Sequence, residues 1–140
     1  MFTVDACIFL EVLLDQSKAE TCQQFLEYAQ TKNILLVCSH FSIHSIAVAL
    51  SHRKKFEVLR DFIQNIQNMP NLYVHQTSLE EEYYITKVCQ KEGLDFDDAL
   101  QYHVTKSTNS SAIISLDKDF DKTDLKRLTP EQFLSTLTNE

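Results

Sequence analysis

The chain has 140 residues, 20 acidic against 13 basic, for a formal net charge of −7, with four cysteines and a single glycine. That length suffices for one domain, 1–140, with a hydrophobic core of its own, and the acidic balance opposes non-specific attraction to phosphates, so a nucleic acid ligand needs a local basic rim. The lone Gly93 excludes kinase, P-loop and Rossmann phosphate cradles and the nucleophile elbow of a hydrolase, all of which need more glycines for close backbone approach or a strained turn.

Cys7, Cys22, Cys38 and Cys89 are scattered and form no C-x-x-C pair, and Asp5 interrupts the apolar N-terminal run that a secretion signal would need. No apolar run approaches the roughly 20 residues of a bilayer-spanning helix. A soluble cytoplasmic protein with reduced, mostly buried thiols and no membrane association is therefore expected.

In chain order, Phe2 to Val4 forms a short β-prone run, and Asp5 or Ala6 starts a helix, which leaves Asp5 at a strand's C-terminal end. Residues 18–31 read as an amphipathic helix and ILLVC (34–38) as a buried strand. Ser39 is an N-cap for a helix carrying Ile43, Ile46, Ala47 and Leu50. A second helix near 54–66 follows the basic cluster Arg53, Lys54, Lys55. Pro70 breaks the chain, LYVH (72–75) is a strand, and Ser78 with Glu81 and Glu82 opens a helix that Gly93 ends.

The next helix starts in LDFDDALQYH (94–103), AIIS (112–115) is a buried strand followed at once by Asp117, and RLT (127–129) is a short last strand. In TPEQFLSTL, Thr129 caps a final helix with Pro130 at its first position and Gln132 closing a capping box. Strands alternating with helices imply a mostly parallel α/β sheet covered on both faces.

Three carboxylates crowd one helix start. Asp95 is explained as an N-cap in the field of the helix dipole. Asp97 and Asp98 are not so explained, because like charges repel and one would do; they flank opposite sides of the Phe96, Ala99, Leu100, His103 stripe, and the helical wheel does not choose between them. Ligands of open parallel sheets bind beyond strand C-terminal ends, where Asp5 and Asp117 both lie. If their strands are neighbours, a helix acid can join them, and such an all-oxygen cluster suits Mg²⁺ or Mn²⁺.

On VDACIFLEVLL, LDFDDALQYHV and IISLDKDFDK, three motifs in order that with the intervening helices span nearly the whole chain, the sequence resembles the PIN domain family and within it the VapC-like toxin ribonucleases. The resemblance implies a three-layer fold with sheet order 3-2-1-4-5 and a metal-dependent endoribonuclease of toxin–antitoxin type, whose partners are RNA, a small antitoxin and a second copy in a homodimer. It assigns catalysis and metal binding to Asp5, Asp98 and Asp117, with His44, Asp97 and Asp119 as further candidate ligands. The sequence departs from the family pattern in HFSIHSIAVAL, where the usual helix Glu is missing and the vacancy falls at His44, Ser45 or Ala47. It departs again at Cys7, where Asn or a small polar residue is usual. A catalytically degenerate scaffold that binds RNA or a protein is the alternative.

Rival readings attach to single residues. His40 and His44, four apart, with Cys38 nearby, have zinc-like spacing but lack a general-base Glu. Cys7 beside Asp5 is a poor nucleophile. A receiver domain would want an acidic pair after strand one, where Asp5 stands alone. Arg53, Lys54 and Lys55 form one candidate RNA-binding rim, and Lys118 and Lys122, with Lys126 and Arg127, form another. Tyr83, Tyr84 and Tyr102 are candidates for base stacking.

Overall fold

The computed structural model describes residues 1–138. The elements are β1 (Phe2–Val4), α1 (Ala6–Leu13), α2 (Ala19–Thr31), β2 (Leu36–Ser39), α3 (His40–His52), α4 (Phe56–Gln67), β3 (Leu72–His75), α5 (Leu79–Glu92), α6 (Phe96–Ser107), β4 (Ile113–Ile114), a 3₁₀ turn (Lys118–Lys122), β5 (Arg127–Leu128) and α7 (Pro130–Thr138). The sheet order is β3-β2-β1-β4-β5 and every pairing is parallel, so all strand C-terminal ends share one edge. This is the expected architecture, with β1 and β4 adjacent.

Alternation along the strands divides the core in two. Val4, Leu36, Cys38 and Ile114 pack with Ile8, Phe25, Ile46 and Phe133 on one face; Val37 packs with Ile85, Leu100 and Val104 on the other. The register pairs Thr3 with Val37 and with Ile113. Two residues further along, Asp5, Ser39 and Ser115 come level as a polar row on the α5/α6 side of the edge.

Local chemistry explains the boundaries. Ser39 Oγ accepts from Ser42 N at 3.0 Å, Ser78 and Glu81 form a capping box, and Thr129 and Gln132 form another at 2.9 and 3.1 Å. Gly93 takes the left-handed conformation at φ 65° that ends α5. Lys54 is also left-handed, at φ 54°, which is why α4 starts at Phe56 and not at the expected 54. The second strand runs Leu36–Ser39, later than the apolar run 34–38 implied, and β4 is confined to Ile113–Ile114. Asp95 has cap-like backbone angles, but its exposed carboxylate makes no capping hydrogen bond, so it aids α6 through charge alone. None of the described helices is long and apolar enough to cross a membrane, and all four cysteines are free.

A second polar cluster ties edge strand β3 to the α5/α6 layer. Glu81 Oε2 lies 3.1 Å from His75 Nε2 and 2.9 Å from His103 Nε2. Partial burial raises the Glu81 pKa, but the two imidazoles and the Ser78 N–H outweigh it and bring it down to about 2. A carboxyl held below its unfolded value of about 4.3 contributes stability above that pH and loses it as pH falls towards the folded value. Glu81→Gln keeps the cap but removes the charge. In urea unfolding it is expected to cost about 1–3 kcal/mol near pH 7, with the difference from wild type shrinking as pH drops from about 4 towards 2. A pH-independent difference would contradict this assignment.

Candidate metal centre

The centre is assembled from strand ends and one helix start. Asp5 ends β1 and caps α1, accepting from Ala6 N through Oδ1 at 2.8 Å. Ser115 follows β4 and works in both directions, its hydroxyl donating to Asp5 Oδ2 at 2.7 Å and accepting from Asp117 N at 3.0 Å. One uncharged side chain therefore ties together two acids 112 positions apart in the chain. Asp117 Oδ1 accepts from Asp119 N at 2.9 Å and opens the 3₁₀ turn. Asp98, in the first turn of α6, completes the group: one carboxylate oxygen from each of Asp98, Asp117 and Asp119 lies within 4.8 Å of the others.

Electrostatics binds Asp5 to that trio. The carboxyl of Asp98 is pushed up to about 7, first by burial and then by the charges of Asp97, Asp117, Asp5 and Asp119. Burial also raises the Asp5 pKa, against the hydrogen bonds from Ser115, Ala6 and Cys7, with Asp117 adding to the rise. Four carboxylates thus share one field, and an all-oxygen donor set of this kind fits a hard divalent ion such as Mg²⁺ or Mn²⁺. Cys7 lies in the same corner, its Sγ 3.6 Å from Asp5 Oδ2, and burial followed by Asp5 pushes the thiol up to about 12, which rules it out as a nucleophile near neutral pH.

The fold gives the two helix acids different neighbours. Asp98 is half-buried and meets Asp117 and Asp119, whereas Asp97 is exposed and groups with Asp95 and Asp98 on the outer side. His44 is exposed, its ring centroid 4.4 Å from that of His40, and neither joins a carboxylate or Cys38 in a metal-like group among the described residues. Lys118 and Lys122 sit on the 3₁₀ turn directly after Asp117, Lys122 Nζ donating to Gly93 O at 2.9 Å. Arg53, Lys54 and Lys55 follow the far end of α3, about 20 Å along the helix from its start beside the centre. Arg127 grips Asp121 at 2.8 and 2.9 Å and Ser115 O at 3.0 Å, bracing the 3₁₀ turn against β4. Tyr102 donates to Asp124 at 2.8 Å, and Tyr84 packs edge-on to His103.

No acid enters from α3. Next to the centre a neutral network stands there instead: Gln101 Nε2, one turn beyond Asp98, donates to Ser39 Oγ at 3.0 Å and Ser42 Oγ at 2.9 Å, all three residues being buried. The Gln101 Oε1 atom is buried without a partner. Ser115 and Gln101 are the participants that sequence reasoning missed. The only prior signal was their place, a serine at the end of an apolar strand and a polar residue on the inner face of an otherwise apolar helix.

Residues 2–126 match the PIN domain family. The chain belongs to that family. Its fold is similar to that of VapC20 from Mycobacterium tuberculosis, described as a toxin cleaving the sarcin–ricin loop, at 14% identity and a TM-score of 0.78 over 93% of this chain and 100% of the other. It is similar also to a toxin–antitoxin complex from Klebsiella pneumoniae at 15% identity, TM-score 0.68, over 93% and 98%. VapBC2 from Rickettsia felis, bound to a DNA fragment from its promoter, matches at 15% identity, TM-score 0.70, over 91% and 97%. No curated protein matches the chain by sequence. The PIN fold is VapC-like, and its acids line the edge where β1, β4 and α6 meet.

The raised Asp98 pKa has a definite sign in stability. Below about pH 4 Asp98 is neutral in both the folded and unfolded states. As pH rises through about 7 the folded protein must ionise it at a penalty, so its contribution is lost. In metal-free buffer, Asp98→Asn is therefore expected to melt at a higher temperature than wild type at pH 8, with the gap closing below about pH 5. Thermal melts with chelator across that range test this; a variant less stable than wild type at pH 8 refutes it.

Proposed function

We propose that this PIN domain is a metal-dependent endoribonuclease that hydrolyses RNA phosphodiester bonds as the toxin of a toxin–antitoxin pair. The observation that carries the reading is the convergence of Asp98, Asp117 and Asp119, backed by Asp5, at the C-terminal edge of a PIN fold. Asp98, Asp117 and Asp119 would hold Mg²⁺ or Mn²⁺, which when bound would supply a water of lowered pKa and offset charge on the scissile phosphate. Asp5, fixed by Ser115 and Ala6, keeps the negative field in place from behind the trio. As ligands of the ion, Asp98 or its partner Asp117 would also orient the attacking water. Lys118 and Lys122, on the 3₁₀ turn after Asp117, would hold flanking phosphates, Lys122 giving up its bond to Gly93 O, while Arg127 is committed to Asp121 and Ser115.

The same reading places one domain in the cytoplasm, paired with a small antitoxin and with a second copy of itself. Two of the fold neighbours are toxin–antitoxin assemblies by description, and Val48 and Phe56 border an apolar groove between α3 and α4 with 56% and 52% exposure. A specific observation favours the alternative, a scaffold that binds RNA or a protein without cutting: α3 carries no acid, so His44, Ser45 and Ala47 bring no carboxylate where the family pattern has one.

Two measurements decide between them. Cleavage of single-stranded RNA with Mn²⁺ is expected to fall at least about 100-fold in Asp5→Asn, Asp98→Asn and Asp117→Asn, and equal rates in wild type and variants would end the nuclease reading. Millimolar Mn²⁺ is expected to raise the melting temperature of wild type and not of Asp98→Asn; no shift in wild type would favour the scaffold.

A further inference from the structure

Two partly open aromatic rings stand at the helix starts that flank the carboxylate edge. Phe41 lies in the first turn of α3, two residues after Ser39, which is level with Asp5 on the neighbouring strand. Phe96 is the first residue of α6, two before Asp98. Their centroids are 6.3 Å apart at an interplanar angle of 70°, so the rings meet edge to face between the two helix starts. Each is 37% exposed.

An apolar pair serving only to seal α3 against α6 would be covered. This pair leaves part of its surface open beside the acids. Lys118 and Lys122 lie on the 3₁₀ turn that follows Asp117, Lys122 Nζ reaching Gly93 O at 2.9 Å, so ammonium groups as well as aromatic surface belong to the segments that carry the acids. That combination matches the chemistry of one nucleotide step in a single-stranded nucleic acid, where a base needs an apolar flat partner and the phosphates need cations.

We propose that Phe41 and Phe96 form a stacking shelf for the nucleobase next to the scissile phosphate, which makes them specificity-determining residues for unpaired RNA. This rests on the ribonuclease reading above. Stacking on π faces is tolerant of base identity, so the shelf selects for an unpaired base and not for a sequence. Paired bases, buried in a duplex, cannot reach it.

The test compares, with Mn²⁺, a short single-stranded RNA that wild type cleaves and the same RNA with an abasic ribose beside the cleaved bond. Wild type is expected to lose about tenfold in kcat/KM on the abasic substrate, mainly through KM. Phe41→Ala and Phe96→Ala are expected to lose a similar factor on the intact RNA and to distinguish the two substrates much less, while Phe41→Tyr keeps the discrimination. Phe41→Leu and Phe96→Leu retain apolar bulk without a π face; if the alanine variants fail to fold, loss of discrimination in the leucine variants supports the shelf. If wild type cleaves RNA yet handles both substrates equally, or the variants discriminate as well as wild type does, the shelf is overturned while the nuclease stands. If wild type cleaves no RNA, the nuclease reading falls and the shelf with it.

Discussion

Repulsion among carboxylates is the constraint around which the edge of this sheet is organised. The fold brings Asp5, Asp98, Asp117 and Asp119 together because β1 and β4 are neighbours, their C-terminal ends coincide, and α6 begins beside them. Burial and mutual charge make full ionisation unfavourable, as the pKa of about 7 at Asp98 records. Such an arrangement is retained against its own cost only when a cation or a proton relieves it. Ser115 gives partial relief: its hydroxyl bonds Asp5 and the Asp117 backbone without adding charge, so the acids stay positioned but not neutralised.

The surroundings compensate that charge only in part. Arg127 is held by Asp121 and by the Ser115 carbonyl, which braces the 3₁₀ turn against β4, and its charge acts also on Asp117. On the α3 side, Gln101, Ser39 and Ser42 form a buried neutral network that joins α6 to α3 without a fifth acid. One fewer carboxylate lowers the repulsion and also lowers the number of anionic ligands for an ion. On the proposed metal-dependent reading, affinity would rest more heavily on Asp98, Asp117 and Asp119 than it would with an acid on α3.

Much of this was legible beforehand, for identifiable reasons. The caps at Ser39, Ser78, Gly93 and Thr129 are local chemistry, and each lies where its residue type and spacing put it. Strand order came from the resemblance, since residue patterns do not encode which strands pair. Asp98 was separable from Asp97 only once α6 was laid on the sheet, because a helical wheel has no absolute orientation. The Glu81 cluster could not be read at all: His75, Glu81 and His103 come from three elements, and their meeting depends on how α5 and α6 seat against edge strand β3. The short extents of β2 and β4 likewise reflect pairing partners, which an apolar run does not reveal.

The central claim is that Asp98 ionises late because burial and the surrounding acids disfavour its charge, and that a divalent ion removes the penalty. Carboxyl-carbon NMR of Asp98, titrated with and without Mg²⁺, measures this directly. The account predicts an apparent pKa near 7 in the metal-free protein, falling to or below the ordinary carboxylate value of about 3.9 when Mg²⁺ is present. A pKa near 3.9 in both conditions would contradict it.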